Sequence, residues 1–151
     1  MSPYRLPILT YHSIDSSGSV ISTSPSNFQR QMQWLHKQGF QALSLAEAVK
    51  LVRARQSFPE RACVVTFDDG YETVYREAFP VLEELGFTST VFLVTGYCGK
   101  RNSWPGHVSP VGAQSLLTWA HIDEMARHHF EFGSHTVTHP DLACVTPQEA
   151  E

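Results

Sequence analysis

Cysteine is scarce in this sequence: Cys63, Cys98 and Cys144 form an odd, widely spaced set with no CxxC pair. That pattern argues against a disulfide framework and a thiolate zinc site, and it leaves Cys63 as a core residue. Basic charge is scarce as well, with 11 Lys and Arg against 15 Asp and Glu and a formal charge of -4. Nucleic-acid binding calls for a basic footprint and membrane-surface binding for a cationic amphipathic stretch, and the sequence has neither. No apolar run reaches transmembrane length. The opening residues, MSPYRLPILT, lack the long apolar region and small-residue cleavage site of a secretory leader. The chain as written is therefore expected in the cytoplasm, whereas a leader already removed would place it outside. No repeat or linker divides the sequence, so a single domain over 1–151 is expected, with 42% apolar residues to build a core.

What is present is a regular alternation of short apolar runs with amphipathic stretches. Residues 6–11 read as a first strand, followed by a Ser/Gly-rich loop to Ser24. Ser26 and Gln29 have capping-box spacing for a helix over about 27–38, with Gly39 as its stop. Residues 40–43 make a brief second strand, and Ser44 with Glu47 repeats the capping signal for a helix ending near Ala54. Residues 62–67 form an apolar run without polar alternation, as a parallel strand covered on both faces does. The spacing over 71–85 is helical, with Pro80 expected to break or kink it. Strands over 89–95 and 130–133 flank a long loop (96–115), of a length typical of functional lids, and a helix capped by Thr118. This order predicts a parallel α/β sheet or barrel. Thr146, Pro147 and Glu149 have the pattern of a helix start, so the chain is expected to be part of a longer protein.

The central strand stops at Asp68, Asp69 and Gly70, at the carboxyl end where parallel α/β folds collect ligands and reactive side chains. Isolated, an Asp-Asp-Gly is as readily a solvated turn. The His135-Thr-Val-Thr-His139 stretch sets two imidazoles four residues apart, on one side of a helical turn, directly after the last strand. A parallel fold brings both clusters to the same rim. Two His and one carboxylate make a catalytic zinc set with coordination positions left open, and the second carboxylate is available as a base. Adjacent carboxylates are poorly placed to flank a glycosidic bond, which argues against glycosidase chemistry. His12 ends the first strand and belongs to the same rim by position, as a candidate acid or as a buried structural histidine. Trp104 either stacks on a sugar or anchors its own loop. His36, His107 and His121 read as structural, and His128-His129 as a helix end near the negative dipole.

Thr66-Phe-Asp-Asp-Gly70 and His135-Thr-Val-Thr-His139 resemble, in this order, the first two motifs of the polysaccharide deacetylases, carbohydrate esterase family four with its NodB homology domain. The resemblance covers the chain from about Leu6 onward. It implies a distorted (β/α) barrel of about seven strands, one divalent metal ion, most readily zinc, and removal of N-acetyl groups from N-acetylglucosamine-containing polysaccharide. It implies Asp68 as general base and Asp69, His135 and His139 as metal ligands; Trp104 and Tyr71 are the candidate substrate contacts. The family's Arg-x-Pro and late Leu-x-His motifs are absent, which leaves a catalytically incomplete carbohydrate- or metal-binding module as the alternative. In the branch resembling poly-N-acetylglucosamine deacetylases, the motif order is permuted and a first-strand histidine, here His12, serves as the acid.

Overall fold

The computed structural model describes residues 5–106 and 112–150, the last two as backbone only, so His107 lies outside the described residues. Its centre is a parallel sheet of five strands: β1 (Ile8–Tyr11), β4 (Gln41–Ala42), β5 (Ala62–Phe67), β6 (Thr90–Leu93) and β7 (Glu131–Ser134). The principal order is β1-β5-β6-β7. Val64 and Asp68 N–H donate to Pro7 and Tyr11 O on one edge of β5, while Arg61 and Cys63 O accept from Gln41 and Leu43 N–H on the other. β4 thus lies beside the start of β5, on the edge that β6 takes over at Thr66 and Phe67. Among the described residues β1 and β7 are the outer strands of this path, and the sheet is an open arc of the expected barrel class.

The fully buried β5 justifies its unbroken apolar sequence. Its odd-numbered side chains, Cys63, Val65 and Phe67, enter the main core with Phe28, Met32 and Leu35 of α1 (Pro25–Lys37). Each such large apolar side chain contributes about 1.5–3 kcal/mol by leaving water. The even-numbered Val64 and Thr66 face the opposite side, where Thr66 donates a 3.0 Å hydrogen bond to Thr10 of β1.

Two local expectations are corrected and a third is refined. Helix α1 starts earlier than the Ser26/Gln29 pattern indicates: Ser24 is the cap, accepting from Asn27 N–H, and Pro25 takes the first helical position, where a missing N–H costs nothing. The loop before it contains two short parallel strands, β2 (Ser13–Ile14) and β3 (Ser22–Thr23), too short to show periodicity. At Pro80 the helical run is broken, as expected, but by more than a simple kink. A π-helical turn over Val74–Ala78 precedes α3 (Phe79–Glu84), and Phe79 N–H reaches back five residues to Val74 O, so that Pro80 falls in the first turn of a new helix. By contrast, the Ser44–Glu47 box before α2 (Leu45–Arg53) forms as read. The Thr118 cap of α4 (Trp119–Arg127) forms too, with His121 Nδ1 closing the box, and a short α5 (Pro147–Ala150) follows the Thr146 signal.

The described parts of the segment over 96–115, residues 96–106 and 112–115, are fastened, unlike a free lid. Gly99 and Asn102 N–H donate to Leu117 and Gln114 O, Leu116 N–H donates to Lys100 O, and Glu72 N–H donates to Ser115 O beside the Asp-Asp-Gly turn. Buried Ser13 adds a side-chain knot, touching Asp15, Thr73 Oγ1 (3.0 Å) and Gln114 Oε1 (3.1 Å) and so tying three loops together.

Burial works to raise the Asp15 carboxyl, but hydrogen bonds from Ser13, Ser17 and Ser22 outweigh it and bring it down to about 2. A carboxylate lowered in the folded state adds stability that is present above about pH 4 and is lost as pH falls toward 2. Asp15→Asn is therefore expected to flatten the loss of stability between pH 4 and 2, measured by denaturant melts across that range. An acid limb identical to wild type would show that Asp15 holds nothing.

Candidate metal and catalytic site

The β1–β5 register sets Tyr11 opposite Phe67, so the next residues, His12 and Asp68, leave the sheet side by side. His12 Nε2 stands 3.8 Å from Asp68 Oδ2, longer than a hydrogen bond, and both side chains are partly exposed. Among the described residues Asp68 pairs with no arginine, in line with the missing Arg-x-Pro motif.

Asp69 turns the other way. Its φ of 69° and the 72° of Gly70 are left-handed, and they reverse the chain over the end of β6. Glycine suits position 70 because side chains rarely adopt its φ of 72°, and a Cβ there would also press Leu93 Cδ2 at 2.8 Å. Across β6 the register pairs Leu93 with Ser134, so His135 rises next to this turn. The Asp69 side chain is 7% exposed, and its Oδ1 lies 3.5 Å from His135 Nε2 and 3.2 Å from His139 Nε2.

The two histidines do not share a helical turn. They sit in a loop in which Thr136 (φ 67°) and His139 (φ 54°) are left-handed, and Thr136 Oγ1 accepts from His139 N–H at 2.9 Å. The loop is stitched onto the end of β6: His135 N–H donates to Leu93 O, Thr95 N–H to Thr136 O and Gly96 N–H to Val137 O, at 2.7, 3.1 and 2.8 Å. A Cβ at position 96 would fall 2.5 Å from Val137 O, so this approach requires glycine. Thr136 and Gly96 escaped the sequence reading; the histidine spacing pointed to a helical turn and so hid the turn built on Thr136.

The structure takes two side chains off the expected sugar-contacting surface. Tyr71 is wholly buried, accepts a 3.1 Å hydrogen bond from Asn102 Nδ2 and lies behind Asp69. Burial pushes its hydroxyl up to about 12; the Asn102 hydrogen bond opposes the shift and the Asp69 carboxylate adds to it. Trp104 is 4% exposed and stacks on the His139 ring, with centroids 4.6 Å apart. His121 stacks on Tyr75 and His36 packs on Phe87, the structural roles expected of them, and His128 pairs with Glu83 at the end of α4.

The three grouped donors fit a divalent ion. Asp69 Oδ1 is buried without a hydrogen-bond partner, an expensive condition for a carboxylate oxygen. Donors on a tetrahedral zinc with bonds of about 2.0–2.1 Å stand about 3.4 Å apart, close to the two separations from Oδ1. Among the described residues this is the one group of His, Cys, Asp or Glu that could hold a metal.

Comparison with known proteins identifies the family. The family model described as polysaccharide deacetylase matches residues 55–151. YxkH of Bacillus subtilis, which carries a polysaccharide deacetylase name, is 36% identical over 149 residues, covering 99% of this chain and 48% of its own. The poly-beta-1,6-N-acetyl-D-glucosamine N-deacetylase of Staphylococcus epidermidis is 33% identical over 116 residues, or 76% of this chain and 37% of that protein. The solved structure of IcaB from Ammonifex degensii superposes with a TM-score of 0.76 at 31% identity, over 95% of this chain and 57% of the other. The chain thus spans about half the length of these relatives or less. On the family match and the shared fold, this chain belongs to the polysaccharide deacetylase family.

Proposed function

We propose that the chain carries the hydrolytic centre of a divalent-metal-dependent deacetylase that removes acetyl groups from N-acetylglucosamine units of a polysaccharide. The observation that carries this reading is the orphaned Asp69 Oδ1 facing two imidazoles, with a second carboxylate and a third imidazole free on the same rim. Asp69, His135 and His139 would hold the ion, most readily zinc for its borderline N/O donor set. Bound there, it would lower the pKa of a water and polarise the acetamide carbonyl.

The remaining chemistry belongs to Asp68 and His12. Asp68 accepts a proton from the attacking water as the new C–O bond forms. The C–N bond then breaks, His12 as imidazolium donates its proton to the departing amine, and acetic acid is left, which ionises to acetate as Asp68 and His12 return to their starting states. Their 3.8 Å separation leaves the two groups side by side without locking them to each other, which supports this division of roles. The β-1,6-linked polymer named for the Staphylococcus epidermidis relative is the first substrate to try. No helix among the described residues is long and apolar enough to cross a membrane.

Protein stripped by chelator and reloaded with zinc is expected to hold one ion per chain, and His135→Ala or His139→Ala to lose it. Unchanged stoichiometry in either variant would refute the ligand assignment.

Asp68→Asn is expected to keep the metal and to slow acetate release from N-acetylglucosamine oligomers by about 10²–10⁴. Metal lost in this variant but kept in Asp69→Asn would exchange the two roles. His12→Ala is expected to keep fold and metal and to lose most turnover. Because an acid must be protonated to act, its removal also erases the fall in rate on the alkaline side; near wild-type turnover would exclude His12 as the acid.

A further inference from the structure

We propose that Trp104 is a positioning residue for the metal centre, holding the His139 imidazole at its coordinating angle so that metal affinity depends on this indole. The inference rests on the metal-site reading above and adds a residue that neither motif contains. His139 needs such a hold. It is a non-glycine residue at φ 54° in a loop, partly exposed, and among the described residues its backbone is tied by one bond, to Thr136 Oγ1. Nothing in that bond sets the rotation of the ring.

The indole supplies what the backbone lacks. Its ring lies 28° from the His139 plane at 4.6 Å between centroids, a stacked arrangement that restricts rotation about the imidazole's own side-chain bonds. The indole is fixed in turn, because Tyr97 meets it edge-on at 5.6 Å and it retains only 4% of its surface. Tyr97 follows Gly96, whose N–H is bonded to Val137 O inside the histidine loop. One short segment therefore grips the loop by its backbone at Gly96 and, through Tyr97 and Trp104, by the imidazole itself.

The same segment supports a second ligand. Asn102, two residues before Trp104, donates to Tyr71, which stands behind Asp69. Residues 99–102 are anchored by backbone bonds to 114–117, so the segment is a rigid brace. A sugar-stacking indole has to present a free face to solvent; this one has a face on His139, Tyr97 packed perpendicular to it and almost no exposed area.

Zinc titration of the full chain tests this. Trp34 and Trp119 are 58% and 57% exposed, so Trp104 is the buried tryptophan and the one in ring contact with a proposed ligand. Zinc binding, followed by calorimetry, is expected to be accompanied by a change in tryptophan emission that survives Trp34→Phe and Trp119→Phe and disappears in Trp104→Phe. Trp104→Ala is expected to weaken zinc binding about tenfold or more, the range found for groups that orient metal ligands, with Trp104→Phe restoring most of it. Circular dichroism of the zinc-free variants controls for folding, and the emission readout in Trp104→Phe stands even where the alanine variant does not fold. Wild-type affinity in folded Trp104→Ala, or an emission change that persists in Trp104→Phe, would overturn the proposal while leaving the ligand assignment intact. Failure of the wild-type chain to bind zinc would overturn both.

Discussion

A single buried oxygen, Asp69 Oδ1, sets the terms for the rest of the rim. Moving a carboxylate out of water costs several kcal/mol unless a partner of positive character meets it, and here no hydrogen bond reaches Oδ1. The imidazoles of His135 and His139 face it at 3.5 and 3.2 Å, and a divalent ion between the three donors would settle the charge. Much of the surrounding structure keeps this arrangement from relaxing. Gly70 lets the chain pass over Leu93, Gly96 lets the histidine loop lie against the end of β6, and the 99–102 segment braces both sides.

Two adjacent carboxylates acquire different surroundings through one backbone torsion. Asp68 continues the direction of β5 and emerges beside His12, partly in solvent. Asp69, at φ 69°, turns inward and is 7% exposed. Pairs of carboxyl groups placed in unlike environments can divide chemical labour between them, one holding charge and the other moving protons. Backbone strain of this kind, about 1–3 kcal/mol for a residue held in a sparse region, is typical of functional sites and persists where packing over-determines it.

Much of the fold was legible because burial writes itself into pattern. The unbroken apolar run of β5 and the Ser44–Glu47 box were readable to the residue, since each encodes its structure in neighbours along the chain. The short parallel pair β2–β3 was not, because two-residue strands have no period and are held by tertiary contacts such as Thr73 Oγ1 to Ile14 N–H. The π-helical turn before Pro80 also escaped: proline announces a missing donor, yet where the helix makes up the difference depends on what Val74, Ala78 and Phe79 must bury.

The sequence by itself determined which chemistry was on offer. Asp68, Asp69, His12 and His135 each stand just beyond a strand and His139 follows in the same loop, marking the carboxyl ends of parallel strands. Only the tertiary structure decided how those groups divide. The β1–β5 register made His12 the neighbour of Asp68, and the β6–β7 register with the turn at Gly70 made His135 and His139 the neighbours of Asp69. It also withdrew Tyr71 and Trp104 from the surface and set them behind and against the metal-binding side chains. The physical reason is that side-chain identity is carried by one residue at a time, whereas depth and facing depend on contacts between residues distant in the chain.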